Sequence, residues 1–167
     1  PTAWHQHAFE QWQRHTVQNL ENPDKTTAIN LLQTPLPPHQ RRMIWTALGE
    51  TQALQKAALA EVSTNPFSPY GWHSLGLAAV ANDDQKYAII ATHVLFKYLP
   101  HHEPLRYKKL QLAAFVWADL PPNDRIRVIQ QLQRAYQNNP KRTWHRLQGF
   151  PEGRKLLQNI NVKPTAF

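Results

Sequence analysis

Proline placement constrains this chain more than any other feature. Fourteen prolines leave Pro-free stretches at 2–22, 39–65, 70–99, 105–120, 123–139 and 152–163, and only five glycines occur in 167 residues. A proline inside a helix costs ~3 kcal/mol, so the stretches are predicted as helices and the prolines as joints between them. A β-rich chain of this length would need many glycine-containing turns, and no segment alternates apolar and polar residues over strand length. The predicted class is all-α, one domain over 1–167.

The remaining composition excludes whole classes of chemistry. There is no cysteine, so disulfide scaffolds, cysteine nucleophiles and thiolate zinc sites are out. No apolar run approaches the ~20 residues needed to cross a bilayer. The single glycines form no phosphate-cradling loop, nucleophile elbow or Walker pattern. Asp83 and Asp84 are adjacent carboxylates in a turn, which favours capping over acid–base work. His5 and His7, at i and i+2, face different sides of a helix. His101-His102-Glu103 has no further ligands nearby to complete a metal shell. The expectation is a chain with no catalytic residues, cofactor, metal or small-molecule substrate.

Charge is unevenly spread. Residues 1–102 hold seven Lys/Arg and seven Asp/Glu, whereas 103–167 hold 12 against four, so the formal +8 resides in the last 65 residues. Arg127, Arg134 and Lys141 recur every seven residues. With Arg142 they form a candidate basic surface for an acidic protein face or anionic lipid, and less readily for nucleic acid.

Periodicity places the helices. Ala8, Trp12 and Leu20 suggest one over about 3–20, Asp24 caps a short one through Leu32, and Thr34–Pro38 is a stiff connector. Residues 39–63 read either as one long helix or as a truncated pair. Trp72, Leu75, Gly76 and Ala79 share a face, the polar Asn82–Asp84 turn follows, and Tyr87, Ala88, Ala91, Leu95 and Tyr98 continue a second amphipathic helix. Gly76 is expected to face Ala88 where these two helices cross. Helices near 104–118 and 122–138 follow, the latter with Ile126, Ile129, Leu132 and Tyr136 turned inward, and a capping helix spans 152–160.

Trp72, Leu75, Gly76, Ala88 and Pro100 match residue types and spacing of a 34-residue helix–turn–helix unit. The segment 69–102 resembles a tetratricopeptide repeat (TPR). Ala79, Thr92 and Leu95 depart from that family's usual tyrosine, phenylalanine and alanine. Pro66 to Pro100 is 34 residues and Pro100 to Pro140 is 40, so the flanking units are degenerate. Trp45–Gly49 echoes Trp72–Gly76, and Trp144–Leu147 is a further echo too near the end to complete a unit.

The resemblance implies an α-solenoid of stacked helical hairpins. Residues 1–38 would supply N-terminal helices and connector, 39–140 the repeat-like helices, and 141–167 a basic cap and tail. It also implies a protein-interaction scaffold whose groove is lined by Tyr70, His73, Leu77, Val80 and Ala81, without the Lys and Asn that grip chaperone tails. Some bacterial members are held outside the cytoplasm in envelope assemblies, and a leader or anchor ahead of Pro1 is compatible with that placement. The alternative is a basic helical module binding nucleic acid or another polyanion through 103–167, distinguished by steep loss of affinity with salt.

Overall fold

A computed structural model describes residues 25–160. The expected helix over 3–20 lies outside them. Among the described residues there are nine α-helices and no strand: α1 (Lys25–Leu32), α2 (Pro38–Leu48), α3 (Thr51–Thr64), α4 (Pro69–Ala81), α5 (Gln85–Lys97), α6 (Arg106–Phe115), α7 (Pro122–Asn138), α8 (Pro140–Gln148) and α9 (Pro151–Gln158). Short 3₁₀ turns at Glu103–Leu105 and Trp117–Asp119 flank α6.

Proline starts helices here as well as separating them. Pro38, Pro69, Pro122, Pro140 and Pro151 each occupy the first turn of their helix, where no backbone N–H is needed and the fixed φ suits the helix. Side-chain caps do the rest at three N-termini: Ser68 accepts from the Gly71 N–H, Asp84 from Tyr87 and Asn139 from Arg142.

The stretch 39–63 is a pair of helices. Gly49 ends α2 with φ 71°, a left-handed conformation that glycine adopts without steric cost, and α3 starts two residues later. Trp45–Gly49 therefore does not repeat the role of Trp72–Gly76, because Gly49 terminates a helix and Gly76 sits inside one. At the other end, the Trp144 segment does complete a short pair, α8 with α9.

Consecutive helices pack from α1 to α9, and a second set of contacts joins α2 to α4, α4 to α6, α6 to α8 and α5 to α7. The main core lies under α4–α9 and includes Ala79, Ala88, Leu95, Leu112, Val128, Leu132, Ala135, Leu147 and Leu156. Smaller clusters tie α1 to α2 through Ala28, Leu31 and Ile44, and α3 to α4 through Ala58, Val62 and Leu75. Trp72 packs against two of these clusters and donates its indole N–H to the Pro66 carbonyl at 2.7 Å.

Two packing expectations need correction. Gly76 faces Ala91 and Leu112: a Cβ there would lie 3.1 Å from Ala91 Cβ and 2.5 Å from Leu112 Cδ2. Ala88 is buried three residues before Ala91 and is not the crossing partner. On α7 the inward positions are Asp124, Val128, Leu132 and Ala135, while Ile126 is 55% exposed. The i, i+3, i+6 series from Ile126 rotates ~120° around a 3.6-residue helix by Leu132, so both cannot face the core.

Candidate interaction surface

Tyr70, Leu77 and Ala81 are exposed on α4 at i, i+7 and i+11, and Val80 is half-buried beside them. Tyr70 meets the ring of His102, in the loop before α6, edge to face with centroids 5.3 Å apart. His73, expected among the exposed groove residues, is instead buried at 8% exposure. It sits where α2, α4 and α6 converge. Burial lowers its pKa to about 4, helped by the charges of Lys108 and Arg42 and opposed by a hydrogen bond to the Lys108 backbone.

Below the ordinary imidazole value of 6.5 the unfolded chain takes up a proton that folded His73 refuses until about pH 4. Its contribution to stability is therefore complete above pH 6.5 and is lost as pH falls toward 4, by roughly 3 kcal/mol. Urea unfolding of His73→Leu against the parent between pH 7 and 4 is expected to show a flatter profile in the variant. Parallel profiles would contradict the buried neutral imidazole.

Side chains of α6 and α8 meet directly. Arg142 of α8 lies over the Tyr107 ring at 5.0 Å, and Gln111 of α6 donates from Nε2 to the Arg146 carbonyl at 3.0 Å. Phe115 is 44% exposed and stacks on Phe150 with centroids 5.3 Å apart. Lys108, Gln111 and Phe115 follow helical spacing on α6. None of them was expected in the groove from sequence, although a step of 34 residues leads from Leu77 to Gln111 and from Ala81 to Phe115.

Of the four basic residues expected as one surface, Arg127 is engaged within the fold. Arg127 bonds Asp124 Oδ1 at 2.8 Å, and the same buried carboxylate lies 2.8 Å from His93 Nδ1 of α5. Arg134 is exposed on the second half of α7, whereas Lys141 and Arg142 are exposed in the first turn of α8. Other cations of the basic end serve the fold. Lys109 is 1% exposed, donates to the Leu99 and Pro100 carbonyls, and has its pKa lowered to about 8 by burial. Arg106 pairs with Glu103.

A second buried polar network has no signature in the sequence. Glu61 of α3 accepts from Arg42 Nε of α2 at 2.5 Å and from Ser68 Oγ, and Arg42 Nη1 reaches Ser74 Oγ of α4 at 3.3 Å. Neither Arg42 nor Glu61 stands out by spacing. Among the described residues no group of three or more His, Asp or Glu side chains is placed to hold a metal, and no helix is long and apolar enough to cross a membrane. No protein-family model, curated protein or solved structure matches this chain.

Proposed function

We propose that the chain is a non-catalytic protein-interaction scaffold of stacked TPR-like hairpins, with its partner docking across α4, α6 and α8. The observation that supports this is a constant offset in the cross-helix contacts. His73 meets Lys108, Tyr107 meets Arg142 and Gln111 meets Arg146, each pair 35 residues apart. An offset of 35 at both steps, near the 34-residue period, supports α6 on α4 and α8 on α6 sharing one register, while Arg42 of α2 meets Ser74 of α4 at an offset of 32. One face then runs unbroken from helix to helix, with Tyr70, Leu77 and Phe115 as its exposed apolar groups.

A second reading, polyanion binding, is favoured by one observation. The charged ends of Lys108, Arg134, Lys141, Arg146 and Lys155 make no ion pair among the described residues. Panning a random-peptide display library against the folded chain separates the two readings. On the scaffold reading, enriched peptides compete for one site and lose at least ~10-fold in affinity on Leu77→Asp, because an apolar contact becomes a buried charge. Arg142→Glu with Arg146→Glu weakens them less and in a salt-dependent way. If charge reversal abolishes binding while Leu77→Asp is silent, the polyanion reading replaces the scaffold.

A further inference from the structure

We propose that the pocket between the start of α6 and the second half of α7 is a phosphate-binding site. Antiparallel packing brings the end of α7 back to the beginning of α6, and a cavity of about 150 Å³ remains between them. At ~30 Å³ per water, this volume accommodates a four-oxygen anion. Gln131, Arg134 and Asn138, at i, i+3 and i+7, form the α7 wall, and His102, Glu103 and Arg106 form the other.

The donors outnumber the acceptors. Gln131 and Asn138 use their side-chain amides in no hydrogen bond among the described residues, and Arg134 has no ion pair there. His102 Nε2 is buried without a partner. Closed off from solvent, that nitrogen is not open to the cavity, so the donors that line it are Arg134, Arg106 and the two α7 amides. Arg106 already holds one carboxylate, that of Glu103, and its five N–H donors are not exhausted by one partner. Two guanidiniums facing one carboxylate leave the cavity with one net positive charge.

A phosphate suits this set because its oxygens accept from forked guanidinium donors at several angles at once. Arg134 and the remaining Arg106 donors would take two oxygens, with the α7 amides around the others. Glu103 sets the affinity by opposing the incoming charge. The ring of His102 also touches Tyr70 of α4, so an occupied pocket would fix a side chain next to the proposed docking face.

The test titrates the folded chain with inorganic phosphate at constant ionic strength, reading the arginine side-chain and histidine-ring nitrogens by NMR. In parallel, the chain is sedimented with phosphatidic acid vesicles. Saturable one-to-one binding is expected, weakened at least ~10-fold by Arg134→Gln, strengthened several-fold by Glu103→Gln and unchanged by Lys141→Gln. Leu77→Asp is also expected to leave it unchanged, which separates this site from the docking face. Response to free phosphate assigns a soluble ligand. Vesicle binding alone, lost on Arg134→Gln, assigns a lipid headgroup. Absence of both, or equal losses for Arg134→Gln and Lys141→Gln, overturns the proposal.

Discussion

Glu61→Ala is expected to cost 3–5 kcal/mol, a large share of the roughly 5–15 kcal/mol that holds a domain together. The carboxylate is buried at 5% exposure and accepts from both the Arg42 guanidinium and the Ser68 hydroxyl. Removing it leaves Arg42, whose side chain is 12% exposed, desolvated and unpaired among three helices. The penalty is that of a stranded charge rather than of one lost hydrogen bond. Replacing both partners, as in Arg42→Met with Glu61→Leu, removes the stranded charge and is expected to recover most of the loss. Guanidinium unfolding of the single and double variants measures this directly. A Glu61→Ala loss within about 1 kcal/mol of the parent would show that water reaches Arg42.

Leu112→Ala is expected to cost 2–5 kcal/mol, since the side chain is fully buried where α4, α5 and α6 meet. Its Cδ2 occupies the space that a Cβ at position 76 would need. Gly76→Ala alone should therefore be destabilising by ~1–3 kcal/mol through overpacking, despite the better helix propensity of alanine. In the double variant the new methyl enters the space vacated by Leu112, so the combined loss should fall short of the sum of the two. The coupling is read from a double-mutant cycle on unfolding free energies. Strict additivity would mean that the two positions do not touch.

Glycine and proline made much of this architecture legible. Helix starts at Pro69, Pro122 and Pro140 coincide with sequence boundaries because proline satisfies the first turn, and Asp84 caps α5 where the polar turn placed it. The break at Gly49 was ambiguous for a physical reason. A lone glycine is compatible with a helix interior and with a left-handed C-cap, and only the backbone conformation distinguishes them.

The rotation of α7 differs from the one its apolar spacing suggests. The helix turns Val128 inward and brings Asp124 to His93 and Arg127, leaving Ile126 in water. Of the expected groove, His73 was the misplaced member, because spacing alone does not reveal the neighbouring helices that cover it. The charge excess at the basic end was countable, but its use was not. Lys109 caps two carbonyls and Arg127 secures a buried carboxylate, so neither is free for a partner.

On the proposed function, a partner protein docks across α4, α6 and α8. The most direct test is site-specific photo-crosslinking in cells that express the chain, with the photoreactive residue at position 77 or, as a control, at Ile90 of α5, which is similarly exposed at 37%. A discrete protein adduct is expected from position 77, none from position 90, and loss of that adduct when Phe115→Asp is added. Adducts of equal yield at both positions, or nucleic acid as the captured species, would contradict it.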